Sequence, residues 1–553
     1  MKNNEYDLWI NNKNLDLEIR RIIEKYDSNQ IEKYFNNSAQ FGTAGLRALM
    51  GYGSAMFNII TVKKAALGYG KYLREVFSFE SLQNKGVVIC HDNRKNSELF
   101  ALQSAYVLNS FKIKVFLSPN NSECPTPLVS YLIKKLKLIG GVMITASHNP
   151  KDYNGFKIFN AHGYQCLPIT TKIIQEEFEK NTTEAINFKK NEININYFDQ
   201  KLIEQYCNDV LALQKNSQLN KKIRITFSNL HGVTQKITPY ILKKAGYQLN
   251  IVEKLYDLDP NFTNAPFPNP EIEANYLLPI KSAQECNSDL IILNDPDGDR
   301  IGVCVKLNNN QYKIISTNDL AALLADYIFS NLKKSFHKRA CYNSVVSSSL
   351  ISKIAKDYDV ASFKTLTGFK WMGHLIVQNK NYESVFAFEE ACGIIINPKM
   401  VKDKDGIATA LIVAEMANYY KLKKLNLFQA LEEIFLKYNY YYHKTIAIEI
   451  NQYIGLKILN FFRHYSYHDQ SEFELIKKID FLRGYNNFAR SNLLKFYFKN
   501  HSWFAMRMSG TEPKIKIYFE TASKESLKNA QKKYELLLNS IQNKIKYFKI
   551  KIT

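Results

Sequence analysis

The chain has 553 residues, 46% hydrophobic and 13% aromatic, with 74 Lys and Arg against 52 Asp and Glu for a formal net charge of +22. This composition excludes a disordered or collagen-like chain, and the length is enough for about three to five domains with cores of their own. Only 12 of the basic residues are arginine, and the lysines run along the whole chain without forming a patch or arm, so the charge predicts attraction of small anions into a cleft and no nucleic-acid partner.

The opening stretch MKNNEYDLWINNKN carries charges of both signs and no apolar run, so no secretory signal is read and a cytoplasmic location is expected. Helical spacing over 61–76 is followed by a short apolar strand at 86–90, a helix at 97–108, a strand at 113–117, a helix near 127–137 and a strand at 141–145. A second unit opens with a strand at 223–227, continues through a helix at 235–245 and reaches a strand at 290–293. A third has a helix near 319–329, a strand at 341–347 and a helix at 349–358. The longest apolar run, 406–420, is broken by Glu415 and falls short of the ~18–20 residues of a membrane span, so no membrane partner is expected. The last hundred or so residues are aromatic-rich, with strand-like runs at 445–450 and 515–519 and a lysine-rich amphipathic helix around 524–541. The alternation predicts an α/β fold. Three segments, KGVVICHDNR, KIRITFSNLHG and RACYNSVVSSS, share a strand–turn–helix layout and read as related units. Boundaries are expected near 205, 320 and 440, giving domains over 1–205, 206–320, 321–440 and 441–553. Pro- and Asn-bearing loops at 118–127 and 261–270 read as surface connections. The eight cysteines include no CxxC pair and no zinc-spaced cluster, so they are expected to be reduced, core-filling thiols.

Common nucleotide and hydrolase fingerprints are missing: no P-loop, no HExxH, no GxSxG, and the two GxG segments at Gly51 and Gly68 lack the third glycine of a dinucleotide loop. Three other segments carry chemistry. Asp295-Pro-Asp297-Gly-Asp299-Arg300 follows the apolar strand SDLIILN. Its alternating carboxylates can converge on one hard cation, and magnesium favours such oxygens while leaving room for phosphate. The EF-hand alternative fails, because Arg300 and Lys306 stand where that loop needs Gly and Glu; a plain surface turn is the remaining alternative. Thr145-Ala-Ser147-His148-Asn149-Pro150 follows GGVMI and is an ordinary turn if taken alone. Beside a magnesium loop its serine becomes a candidate phosphoryl carrier, with His148 and Lys157 near enough in sequence to help orient it. Arg507-Met508-Ser509-Gly510-Thr511-Glu512-Pro513-Lys514 offers a guanidinium fork, two hydroxyls, exposed backbone N–H groups and a lysine, which together make a phosphate cradle or else a polar hairpin loop.

In this order and at these separations, TASHNP, DPDGDR and RMSGTEPK closely resemble the α-D-phosphohexomutases, the phosphoglucomutase/phosphomannomutase superfamily. FGTAGLR at Phe41, CHDNR at Cys90, FSNLHGV at Phe227, TGFKW at Thr367, FEEACG at Phe388 and KDKDG at Lys402 agree, so the resemblance runs from about 40 to 520. TGFKW and DPDGDR look most like the branch that holds phosphoglucomutases and phosphopentomutases. The resemblance implies a heart-shaped, four-domain enzyme with three related α/β domains and a smaller C-terminal α+β domain. It implies that Ser147 is phosphorylated and that one magnesium ion per subunit is held by Asp295, Asp297, Asp299 and an oxygen of that phosphoserine. It places Arg47, His148, Lys157 and Arg300 around the transferring group, Gly368 and Lys370 on the substrate side and Glu389 at the sugar hydroxyls. Arg507, Ser509, Gly510 and Thr511 grip the phosphate that is not transferred. Four of the twelve arginines, Arg47, Arg94, Arg300 and Arg507, fall inside these motifs, as planar bidentate contacts require.

The implied reaction interconverts hexose 1-phosphate and hexose 6-phosphate, glucose or mannose, through a sugar bisphosphate that also serves as activator. The partners are small sugar phosphates, and the assembly a monomer or homodimer. Two residues depart from the family pattern. Ala391 stands where the sugar-contact motif usually has serine, and Met508 where the phosphate loop usually has proline. The alternatives are a phosphopentomutase acting on ribose or deoxyribose 1-phosphate and a catalytically silent sugar-phosphate-binding relative, against which the intact Ser147 and aspartates argue.

Overall fold

The structure, a computed structural model, describes residues 4–42, 44–189, 195–465, 472–509 and 514–548. The chain forms two compact units: Met1–Ile315, Gly368–Ala387 and Ala391–Asn426 make the first, and Ser316–Thr367, Phe388–Glu390 and Leu427–Thr553 the second.

The first unit holds two sheets. Strands β1 (Gly45–Leu49), β2 (Val87–His91), β3 (Val115–Leu117), β4 (Gly140–Ile144) and β5 (Tyr153–Asn160) lie in the order β1-β5-β4-β2-β3, with the two-residue strands Phe41–Gly42 and Asn196–Tyr197 at the two edges. Every residue of β2 and of β4 is buried. Such continuous apolar runs are what parallel strands covered on both faces demand. Helices Ile59–Val76, Ser97–Ser110 and Thr126–Lys135 connect them close to the expected bounds. The second sheet comprises β6 (Arg224–Ser228), β7 (Gln248–Ile251), β8 (Leu290–Asn294), β9 (Ile301–Lys306) and β10 (Tyr312–Ile314), in the order β10-β9-β8-β6-β7.

The apolar run that ends near Tyr420 is helix Gly406–Leu422, buried along most of its length. Glu415 is 1% exposed, and its carboxylate accepts the backbone N–H groups of Lys215 at 2.9 Å and Asn216 at 2.7 Å. The charge that interrupts the run thus satisfies a neighbouring loop. Among the described residues no helix is long and apolar enough to cross a membrane. All eight cysteines are free thiols, seven of them buried.

In the second unit β11 (Lys338–Ser344) pairs in parallel with β12 (Val360–Thr365). The strand expected over 341–347 stops at Ser344, because Ser344 Oγ and Ser348 Oγ accept the N–H groups of Val346 and Leu350, and side-chain acceptors of this kind bend the chain away from a ladder. The C-terminal part is a five-stranded antiparallel sheet of β13 (Tyr440–Glu449), β14 (Leu475–Asp480), β15 (Leu493–Phe498), β16 (Trp503–Met508) and β17 (Lys514–Ser523), ordered β13-β17-β16-β15-β14. Helices Gln452–His464 and Leu527–Ile545 cover it. Its core is phenylalanine-rich, with Phe496 and Phe504 stacked at 4.4 Å.

Candidate active site

Two loops leave equivalent places in the two sheets of the first unit. Strand β4 runs parallel to β2 and returns through residues 145–152 into antiparallel β5. Strand β8 runs parallel to β6 and returns through Asp295–Arg300 into antiparallel β9. Carboxyl ends of parallel strands are where α/β folds present ligand loops. Here the two loops touch.

Ser147 is 1% exposed and has φ +55°, the left-handed region. Its N–H donates to Thr145 Oγ1 at 2.8 Å, and its Oγ donates to Asp295 Oδ2 at 2.9 Å, with His148 Nδ1 at 3.2 Å. Asp295, Asp297 and Asp299 are all buried and each brings one carboxylate oxygen within 4.8 Å of the others. Lys157 Nζ lies 2.6 Å from Asp297 Oδ2 and 3.3 Å from Asp299 Oδ2. Thr126 Oγ1 donates to Asp297 Oδ2 at 2.7 Å, and Lys404 Nζ stands 3.1 Å from Asp299 Oδ2. The Oδ1 atoms of Asp297 and Asp299 are buried and accept no hydrogen bond. Burial, and then the charges of Asp297 and Asp299, push the Asp295 carboxyl well above its ordinary range. Burial would do the same to Asp297, but the ammonium of Lys157 and the hydroxyl of Thr126 outweigh it and hold that carboxyl low.

Two buried acceptors without donors are costly unless a cation meets them. The lysines take the Oδ2 side of the pair, Arg300 Nε stands 3.9 Å from Asp299 Oδ1 without a hydrogen bond, and the donor set is all oxygen. These residues fit a small hard dication such as magnesium.

Close backbone approaches fix the aspartate loop. A Cβ on Gly232 would lie 2.3 Å from Pro296 Cα, and one on Gly406 would lie 2.3 Å from Arg300 O. The neighbouring Val233 N–H donates to Pro296 O at 2.8 Å, and the Gly406 N–H to Gly298 O at 3.1 Å. Thus FSNLHGV and KDKDG act through backbone that only glycine permits. Arg47 Nη1 donates to Asn149 Oδ1 at 3.1 Å, while its Nε is buried without a partner. The Arg300 N–H donates to Asp295 Oδ1 at 2.9 Å, and its Nη1 to Glu271 Oε2 at 3.4 Å. Gly368, at φ +108°, caps helix Phe369–Gln378, whose first turn carries the buried Lys370; the ring of Phe369 lies 5.2 Å from Lys404 Nζ.

In the second unit Glu389 ends strand Tyr382–Glu389. The carboxylate of Glu390 accepts from Ser344 Oγ at 3.0 Å and Ser347 Oγ at 2.8 Å. Arg507 Nε donates to the Tyr518 hydroxyl at 3.2 Å, and the Ser509 N–H to Lys514 O at 2.7 Å. Burial would weaken the charge on Arg507, but Tyr518, Glu390 and Glu389 outweigh it. Gly510 and Thr511 lie outside the described residues. The structure therefore brings Ser147, His148, Lys157, the three aspartates and Arg300 together, with Arg47 reaching from β1 to Asn149 of the serine loop. Sequence reasoning gave no role to Thr126, Thr145 or Lys404, and to Arg94 only a planar bidentate contact with no partner named. Thr145, Arg94 and Lys404 lie inside TASHNP, CHDNR and KDKDG, whereas Thr126, between two prolines, carries no local signal.

Four family models match in order: phosphoglucomutase/phosphomannomutase alpha/beta/alpha domain I at 38–185, domain II at 204–308, domain III at 316–438 and the C-terminal domain at 470–535. A phosphomannomutase of Mycoplasmoides pirum is 33% identical over 543 residues, covering 94% of this chain and 95% of its own. A human phosphopentomutase is 32% identical, covering 91% and 88%. A phosphoglucomutase of Staphylococcus saprophyticus is 30% identical, covering 93% and 95%.

Proposed function

The chain belongs to the phosphoglucomutase/phosphomannomutase family, and from that premise we propose that it interconverts hexose 1-phosphate and hexose 6-phosphate through a phosphoserine at Ser147 and an enzyme-bound hexose bisphosphate. The observation that carries this reading is the Ser147 hydroxyl 2.9 Å from a buried three-carboxylate cluster in which two oxygens accept no hydrogen bond.

In the first half-reaction the P–Oγ bond of phosphoserine breaks and a P–O bond forms to the free sugar hydroxyl, whose proton leaves as Ser147 regains its own. The bisphosphate turns over, Ser147 Oγ takes the other phosphoryl, and hexose 6-phosphate departs. His148 Nδ1, at 3.2 Å from Oγ, is placed to receive the serine proton in that return step. Such transfer needs positioning and charge neutralisation more than covalent help. Lys157, Arg47, Arg300 and Lys404 supply fixed positive charge around the serine and its carboxylates. Magnesium held by Asp295, Asp297 and Asp299 would neutralise charge on the transferring phosphoryl. Within the same proposal Glu389 and Lys370 recognise the sugar and Arg507, Ser509, Gly510 and Thr511 the phosphate that stays. The four domains, with boundaries near 205, 320 and 440, and a cytoplasmic location belong to it as well.

A second reading, phosphopentomutase, is favoured by the human relative so named, whose identity is within a point of that to the Mycoplasmoides protein. Mutase rates on glucose, mannose and ribose 1-phosphates, measured side by side, decide between them. Fastest turnover of a hexose supports the first reading, and of ribose the second. Peptide mass spectrometry should find phosphate on Ser147, and Ser147→Ala should lower turnover by about 10³-fold or more. A Ser147→Ala variant with full activity would end the phosphoserine reading.

A further inference from the structure

Against the serine loop lies a fully used guanidinium. Arg94 is 3% exposed, and all five of its side-chain N–H donors have acceptors. Nε donates to Asp92 Oδ2 at 3.1 Å; Nη1 donates to Pro150 O at 2.7 Å and Tyr153 O at 3.1 Å; Nη2 donates to Ser147 O at 2.5 Å and Asn149 O at 2.6 Å. Four of these acceptors are main-chain carbonyls, three in the turn that carries Ser147 and one, Tyr153 O, at the start of β5. The ring of Phe262 covers the guanidinium at 4.9 Å, and the neighbouring Asn93 Nδ2 donates to His231 O at 2.8 Å. Asp92 is itself held, since its Oδ1 accepts the Arg94 N–H at 3.0 Å and Ser97 Oγ at 2.7 Å.

We propose that Arg94 is the positioning residue that holds Ser147 in its left-handed, transfer-competent conformation. A non-glycine residue in that region is strained and persists only where its surroundings over-determine it. The Thr145 hydroxyl fixes the Ser147 N–H, and Arg94 fixes the Ser147 carbonyl together with those of Asn149 and Pro150. Both ends of the serine peptide are therefore held while Oγ is left to face Asp295. No other side chain could do this. Four carbonyls and one carboxylate need five donors in a planar fork, and lysine offers three around a point. Arg94 donates no hydrogen bond to the three aspartates, and although Asp297 and Asp295 feel its charge, Arg94→Lys keeps that charge, so what the fork itself adds runs through the backbone of the loop.

The inference rests on the phosphoserine reading, and Arg94→Lys keeps the charge while removing the fork. The test measures kcat and KM for glucose 1-phosphate, together with the phosphate occupancy of Ser147 after incubation with glucose 1,6-bisphosphate, in wild type, Arg94→Lys and Ser147→Ala. The expected result for Arg94→Lys is a fall in kcat of at least 30-fold (on the order of 2 kcal/mol), slower loading of Ser147 and a KM within threefold of wild type. A kcat and loading rate within threefold of wild type would overturn the proposal, as would a loss confined to KM, which would make Arg94 a substrate contact. If Arg94→Lys does not fold by circular dichroism, Phe262→Leu serves, because it uncovers the guanidinium and leaves all five acceptors in place. It should lower kcat and the loading rate several-fold at constant KM, and unchanged values would again overturn the proposal. Full activity of Ser147→Ala would instead remove the phosphoserine reading on which Arg94 depends.

Discussion

Replacing Asp297 by asparagine removes one charge at constant bulk, and the consequences differ at its two oxygens. At Oδ2 the residue meets Lys157 and Thr126, while Oδ1 meets no donor. Asp297→Asn should therefore fold, yet bind magnesium in calorimetry more weakly by more than the about 10–100-fold that loss of an outer partner costs. Unaltered magnesium affinity would show that the open oxygens do not face the ion. Ala391 is the residue that leaves the sugar preference open. An unpaired sugar hydroxyl costs about 1–3 kcal/mol, comparable to the discrimination between related substrates. Ala391→Ser should raise kcat/KM on glucose 1-phosphate more than on ribose 1-phosphate; equal changes would mean that position 391 does not face the sugar. At this scale the carboxylates and the serine were legible because they recur at short spacing after apolar strands. Lys404 and Thr126 were not, since their meeting with Asp299 and Asp297 depends on folding across 105 and 171 positions of sequence.

Helix Gly406–Leu422 illustrates what an element adds. Its N-cap, Asp405, accepts the Ala408 N–H at 2.8 Å and both contacts of the Tyr206 hydroxyl. Burial pushes this carboxyl up to about 6 in spite of those donors. Below about pH 4 it is protonated in folded and unfolded chains alike. Between about pH 4 and 6 the unfolded chain ionises first, so stability falls as pH rises, by on the order of 3 kcal/mol, and levels off above that window. Asp405→Asn should match wild type near pH 4 and melt higher near pH 7.5; parallel pH profiles for the two proteins would refute this. Helices and parallel strands were readable from periodicity to within a few residues, as at Ile59–Val76 and Val87–His91. The serine run after β11 was not, because periodicity does not register side chains that capture backbone N–H groups.

For the whole molecule, the order of the three motifs was enough to anticipate a four-domain phosphomutase, and the family models match in that order. The division into two compact units was not readable, since residues 368–387 and 391–426 join the first unit while 316–367 join the second. Nothing local marks those exchanges. A net charge of +22 carried mostly by dispersed lysine creates a long-range field more than specific contacts. For a dianionic substrate that field should act on encounter. Raising salt from about 50 to about 200 mM should lower kcat/KM several-fold and leave kcat nearly constant. A salt-independent kcat/KM would show that the lysines play no part in capture.

The backbone at Ser147 also bears on how this chain can change over generations. Of the seventeen described non-glycine residues at positive φ, seven are asparagine and Ser147 is the one serine. Asparagine tolerates the left-handed region better than most residues, and this sequence uses it freely. Some serine codons lie a single base change from asparagine, so mutation and backbone preference push position 147 in the same direction. Only the need for a hydroxyl opposes them. A lineage released from that need would be expected to lose the serine early, exchanging a nucleophile for a more comfortable turn.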